Sequence, residues 1–471
     1  MSGSNEKFDV SSHPLASAGL GGLLLKYGLP SIIAMIVGAL YNIVDQIFIG
    51  HSVGMLGNAA TNVAFPLGTI CMSLSLLLGI GGASNFNLEM GRGNRENAGR
   101  IAANAITFMG LFGLFMFVVV RLFLARILDA FGATPEVMPY ALTYTSIVSL
   151  GMPFMIMSIG CTHLIRADGS PRYSMICNVT GALMNVVLNS ILMFGLDMGI
   201  AGAAWGTVIS QFLSWLLAVR YITRYKSVPL LKSYFVPRLS KLAKISSLGA
   251  GMCFNQLSMM CVQVTLNNVL THYGALSAYG ANVPLAASGI ITKVNMIFIA
   301  VVVGLAQGGQ PIIGFNYGAR NYARVRRTFK LIISASTSLS FVVFLCFQLF
   351  PSEIISLFGD GSDEYFRFVE RYFRIFLFMT VANGIQPVTA NFFTSIGKAT
   401  RGVFMSLTRQ ILFLLPLVII FPRFWGVDGV MYAGPVADTA TLCLAAVFLF
   451  REFREMRALE EAQTEPDAAR I

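Results

Sequence analysis

The chain has 471 residues, of which 55% are hydrophobic and only 12% charged. A soluble domain carries about 25% charged residues, so there is too little charge here to solvate the surface of a water-soluble protein of this size. Disordered, collagenous and nucleic-acid-binding classes are excluded by the same numbers, and the net charge of +11 fits basic loops beside anionic lipid.

A helix crosses the hydrocarbon core with about 20 mainly apolar residues. The polar N-terminal segment, residues 1–26, has no apolar core followed by a cleavage site and reads as an N-terminal arm. Twelve spans are then predicted, near 27–49, 61–84, 103–124, 140–162, 174–195 and 202–223, and after them 246–270, 287–311, 328–350, 372–393, 403–422 and 431–450. The fold class is an all-α polytopic membrane protein: twelve transmembrane helices in two pseudo-symmetric six-helix bundles around a central cavity. The bundles cover residues 27–224 and 246–450, a linker covers 225–245, and a tail over 451–471 reads as a short solvated helix. With the N-terminus inside, the inner segments hold 25 basic residues and the outer ones 6. This predicts a cell (inner) membrane protein with both termini cytoplasmic. The seven cysteines lie in apolar runs and read as small buried hydrophobes, with no disulfide or metal knuckle.

The chain repeats itself. Gly91-Arg92-Gly93-Asn94 and Arg100 match Gly318-Ala319-Arg320-Asn321 and Arg327 at an offset of 227 residues. Phe131-Gly132 falls on Phe358-Gly359 and Gly199-x-x-Gly202 on Gly426-x-x-Gly429 at that offset, and Gly169 pairs with Gly397 one residue later. A six-span repeat keeps its orientation, so the halves are related by an axis along the membrane normal, as in transporters that rock about a central seam.

Charges inside spans are costly and usually functional. Four are found: Asp45 in span 1, Lys293 in span 8, Arg409 in span 11 and Asp438 in span 12. The first half surrounds Asp45 with neutral polar groups, among them Tyr41, Asn42, Gln46, Asn178, Asn185, Asn189, Thr207 and Gln211. A lone carboxylate among amides and hydroxyls suits a proton, or Na⁺ as a hard cation. Lys293 and Asp438 lie at similar depth and could pair, with Arg409 nearer the inner face, and the three read either as a structural charge cluster of the second bundle or as a proton relay or substrate contact. Pro30 lies about four turns before Asp45 and reads as a hinge on the same helix. There is no P-loop, no H-E-x-x-H and no G-x-S-x-G, so neither ATP nor a hydrolase is indicated, and the chain is read as no enzyme and as needing no cofactor.

Several segments together resemble the multidrug and toxic compound extrusion (MATE) family over about residues 20–450. They are Tyr41-Asn42-Ile43-Val44-Asp45, Asn185-x-x-x-Asn189, Gly199-Ile200-Ala201-Gly202, Arg409-Gln410, Pro435-x-x-Asp438 and, most specifically, Gln310-Pro311-Ile312-Ile313-Gly314-Phe315-Asn316-Tyr317-Gly318-Ala319. The resemblance implies an H⁺- or Na⁺-coupled antiporter of small organic cations, acting in the bilayer as a monomer without ATP or nucleic acid. It implies ion coupling at Asp45 with Asn185, Asn189 and Thr207, and a bending proline at Pro30. The family's second fifth-helix residue is commonly Asp, and Asn189 in its place points to protons over Na⁺. The acidic seventh-helix residue that some relatives carry is absent, with Asn255, Gln256 and Gln263 there instead. Tyr41, Asn42, Asn178, Gln211, Gln256, Gln263, Lys293, Arg409 and Asp438 are the remaining candidates for a substrate cavity or second-half polar site. The same superfamily includes flippases for anionic lipid-linked saccharides, which Lys293 and Arg409 could serve.

Overall fold

The computed structural model describes residues 10–280, 282–356 and 363–468, and every regular element among them is helical. The first half contains α1 (Leu20–Ser52), α2 (Met55–Gly91), α3 (Arg95–Ala130), α4 (Met138–Ala167), α5 (Pro171–Gly195) and α6 (Gly199–Ile222). The second contains α7 (Leu239–Ala275), α8 (Asn282–Gly318), α9 (Tyr322–Leu349), α10 (363–395, in three pieces), α11 (Ala399–Trp425) and α12 (Val427–Ala468). Ten of these are long and apolar enough to cross a membrane; α7, diluted by Asn255, Gln256, Gln263 and Asn267, and the broken α10 complete the twelve.

The expected boundaries shift in three places. Helix α1 starts at Leu20, about two turns inside the expected arm, because Gly19 supplies an extended residue ahead of an apolar run. Span 10 is not one helix: it breaks between Phe376 and Ile385. There Thr380 donates to the Leu377 carbonyl at 2.6 Å and Ser336 donates to the Gly384 carbonyl at 3.3 Å, so hydroxyls satisfy backbone that the helix leaves open. The tail is not a separate solvated helix but the continuation of α12. Its Glu452 is fully buried and accepts from Lys398 at 2.7 Å and from Arg401. Glu460 pairs with Arg326 at 2.5 Å.

The internal repeat is visible in the turns. Glycines with positive φ lie in or at the edge of the turns between helices at Gly54 and Gly280, Gly169 and Gly397, and Gly199 and Gly426. Gly93 (φ 77°) is matched by Arg320 (φ 59°), a non-glycine in the left-handed region. The next residues, Asn94 and Asn321, cap α3 and α9 by accepting from the backbone N–H three residues on. Gly132 has φ 88°, and its partner Gly359 lies outside the described residues.

One face of the bundle pair gathers the basic segments. Arg95 donates to the Ser227 carbonyl, Lys241 to Asn97, and Arg324 Nε to the Leu15 carbonyl at 3.1 Å. The arm, the linker, the 92–100 and 320–330 turns and the end of α12 therefore share this basic face. Buried Asp168 holds the linker there, accepting from the Lys226 and Ser227 N–H groups at 2.8 Å each and from Tyr221 Oη at 2.7 Å. Burial pushes its carboxyl above the ordinary carboxylate range against the pull of those donors. Four of the seven cysteines are buried as expected, whereas Cys261, Cys346 and Cys443 are exposed on helix surfaces.

Candidate functional site

Asp45 lies about two turns inside the end of α1 that is remote from the basic face. Its Oδ1 accepts from Asn189 Nδ2 on α5 at 2.6 Å. The same amide lies 3.2 Å from Asn185 Oδ1, and Asn185 Nδ2 donates to Thr207 Oγ1 on α6 at 3.2 Å. Thr207 in turn donates to the Ala203 carbonyl at 3.0 Å. The four residues form one chain because Asn185 and Asn189 are a turn apart on one face of α5 and α6 packs against it. The Asn189 side-chain oxygen, Oδ1, is buried with no partner, and Gly206 packs directly against it. Any side chain at 206 would collide, a constraint that the sequence signals only as one glycine among 45. Tyr41 and Tyr144 lie within electrostatic reach of the carboxylate. Tyr144 carries no spacing signal and was not predicted.

A carboxylate, an orphaned amide oxygen and a threonine hydroxyl make an acceptor-rich pocket. Among the described residues no Lys or Arg pairs with Asp45. This donor set can take up a proton or a small hard cation, which would be cargo rather than a resident group. Among the described residues no three His, Cys, Asp or Glu side chains converge as a metal site.

Other candidates do not join this chain. Asn42 donates to the Gly38 carbonyl at 2.7 Å and Asn178 to the Ser174 carbonyl at 3.1 Å, each within its own helix. The Gln211 carbonyl oxygen is buried without a partner. Gln263 donates to Asn267 at 2.9 Å, also within α7. Of the second-half charge cluster, Lys293 and Asp438 do not pair. Asp438 Oδ1 instead accepts from Arg409 Nε at 2.6 Å, with both side chains buried. The reason is local: a π turn over Thr408–Leu414 rotates Arg409 into the interior against α12. Lys293 is exposed and pairs with none of the described residues.

The two halves meet along α1, α2, α7 and α8, and near the basic face their backbones touch. A Cβ on Gly308 would lie 2.5 Å from Gly28 Cα, and one on Gly304 would lie 2.7 Å from Ile32 Cα. Gly81 abuts the Ile245 carbonyl, Gly249 the Leu77 carbonyl and Gly318 the Leu88 carbonyl. Polar bonds cross the same zone. Buried Arg166 donates to Gln307 at 3.0 Å, Gln310 donates to Ser84 at 2.6 Å, and Asn85 donates to the Lys244 carbonyl at 3.0 Å. Arg166, which lies beyond the span predicted over 140–162, is thus part of the seal. Pro30 is buried in α1 beside this zone, and the helix runs through it unbroken.

Moving away from the basic face, the same helix stripes open. On α8, Ala300, Gly304, Gln307 and Gly308 are buried, whereas Gly289, Thr292, Lys293 and Met296 are exposed. On α1, Gly28 and Ser31 are buried, and Asn42 and Gln46 are exposed. On α7, Ile245 and Gly249 are buried, and Gln256 and Gln263 are partly exposed. The seam is sealed at the basic face and parted beyond it.

The family model MatE matches residues 30–191 and again 252–420, one match in each half. The multidrug export protein MepA of Staphylococcus aureus (strain MSSA476) is 24% identical over 434 residues, covering 91% of this chain and 94% of its own. The MATE multidrug transporter DinF-BH, of known structure, is 32% identical with a TM-score of 0.84, covering 91% of this chain and 95% of its own. An outward-facing MATE family transporter superimposes with a TM-score of 0.87 at 20% identity, covering 94% and 98%.

Proposed function

The chain belongs to the MatE family of membrane transporters, and on that premise we propose that it exports organic cations in exchange for protons, with Asp45 as the coupling group. The observation that carries this reading is the Asp45–Asn189–Asn185–Thr207 chain, an acidic site without a counter-cation deep in the first bundle. Such a carboxylate is a competition point: a proton or a bound cation neutralises it, and each excludes the other.

The basic face is assigned to the cytoplasm by the excess of Lys and Arg in its loops. The sealed seam then makes this the outward-open arrangement. Asp45 takes a proton from outside, its hold on cationic cargo weakens, and the cargo leaves through the parted side. The halves reseal on that side and open at the basic face, where Asp45 gives up the proton and recovers its affinity for cargo. One charge moved across 100 mV is worth about 2.3 kcal/mol, so each proton supplies substantial drive. Pro30 adjoins the Gly28–Gly308 contact, so bending α1 there would couple the state of Asp45 to the seal. Asn189 leaves the site a single carboxylate, which favours protons over Na⁺, and one chain holds both bundles, so the seam is complete in a monomer. Export of an anionic lipid-linked saccharide would draw on Lys293 and Arg409. Arg409 is engaged by Asp438, which favours cation export.

The test is efflux of a fluorescent organic cation from proteoliposomes under an imposed pH gradient, with and without Na⁺. Gradient-driven transport that is Na⁺-independent and lost in Asp45→Asn is expected. Full gradient-driven transport by Asp45→Asn would overturn the assignment.

A further inference from the structure

The parted seam carries one charged side chain among the described residues, and it is basic. Lys293 sits eleven residues from Gly304, three full turns along α8, and so on the side of the helix that meets α1 at the seal. It also lies eleven residues inside the remote end of α8, about 16 Å along the axis, within the parted stretch of the seam. Lys293 makes no hydrogen bond or ion pair among the described residues, and it is exposed. The four seam helices offer it no acid. The described residues of α7 and α8 contain none, the α2 acid Glu89 pairs with Arg92 at the basic face, and Asp45 on α1 turns into the first bundle toward Asn189. The open stretches of the neighbouring seam helices carry amides: Asn42 and Gln46 on α1, Gln256 and Gln263 on α7. An ionisable side chain at this depth that faces an open seam marks a substrate path, and the four seam helices supply this ammonium with no anionic partner.

We infer that Lys293 is a specificity-determining residue that binds an acidic group on the cargo, so that the seam takes zwitterionic organic compounds bearing a carboxylate as well as a cation. The inference rests on the transport reading above. The cationic part of the cargo answers to Asp45 and the carboxylate to Lys293, two sites on helices that oppose each other across the seam. A simple cation gains nothing at Lys293 and is repelled by it.

The experiment uses two forms of one rhodamine, the ethyl ester, a cation, and the free acid, a zwitterion differing only in its carboxylate. Uptake into proteoliposomes is measured for the unaltered protein, Lys293→Met and Lys293→Arg. In Lys293→Met the apparent KM for the free acid rises about tenfold, the scale of one charge-assisted hydrogen bond, while that for the ester is unchanged or falls. Lys293→Arg restores the free acid. An equal effect of Lys293→Met on both dyes, or no effect on the acid, overturns the inference. If the unaltered protein moves the ester but never the acid, the inference fails and the transport reading stands. If it moves neither dye under a proton or Na⁺ gradient, the transport reading fails and takes the inference with it.

Discussion

Replacing Gly308 by Ala should pry the seal open. The added Cβ would lie 2.5 Å from Gly28 Cα and 2.7 Å from Gly28 N, both backbone atoms of α1. Carbon atoms rest about 3.5–4.0 Å apart, so α1 and α8 must separate by about 1 Å. Neither partner can yield by rotating a side chain. Overpacking of this kind costs about 1–3 kcal/mol, and the cost falls on the sealed arrangement alone. The ratio of sealed to unsealed molecules should then fall by about 5- to 150-fold. Spin labels on Arg92→Cys and Arg320→Cys, exposed and on opposite halves of the basic face, report the change by pulsed electron–electron distance measurement once Cys261, Cys346 and Cys443 are replaced by Ser. Gly38→Ala is the control, because a Cβ there meets nothing within 4 Å. A longer distance population in Gly308→Ala alone is expected. An unchanged distribution, or the same shift in Gly38→Ala, would refute the view that backbone contact at this glycine pair sets the seal.

Three further outcomes follow from the geometry. Arg409→Leu leaves Asp438 buried without its partner and should cost about 3–5 kcal/mol, seen as a lowered melting temperature in detergent. The double change Arg409→Leu with Asp438→Leu should recover most of that loss. Asp168→Ala strips the acceptor from the Lys226 and Ser227 N–H groups. At about 1–3 kcal/mol for buried unsatisfied donors, tryptic cleavage at Lys226 and Lys232 should quicken by about tenfold or more, and equal digestion rates would count against the linker clasp. Asn189→Asp adds a second carboxylate beside Asp45 and should introduce Na⁺ dependence into transport, whereas transport still indifferent to Na⁺ would show that coordination at this pair does not select the ion.

Much of the fold can be read from the chain because the bilayer imposes a length on every helix. The twelve spans and the doubled glycine turns follow from apolar runs and from positions where only a left-handed turn closes the loop. The deviations are places where tertiary contact overrides pattern. The apolar run over 372–393 conceals the break at Gly384, which exists because Ser336 on α9 is there to cap it. Charged residues after Phe450 suggest a solvated tail, yet Lys398 and Arg401, some fifty residues earlier in sequence, hold Glu452 inside. At the candidate site, Asp45, Asn185, Asn189 and Thr207 were legible as polar residues in apolar surroundings, and their order in the chain of hydrogen bonds follows helical spacing. Depth alone misled on Asp438, because the π turn that rotates Arg409 toward it leaves no mark in the hydrophobic period. Gly206 and Tyr144 shape the site by contact, which no single-chain pattern encodes.

Competition of cargo and proton for Asp45 can be measured without a membrane. Purified protein in lightly buffered detergent solution is mixed with a rhodamine ethyl ester while the pH of the solution is followed. Acidification on binding is expected for the unaltered protein and none for Asp45→Asn. Equal proton release by both proteins would contradict such competition.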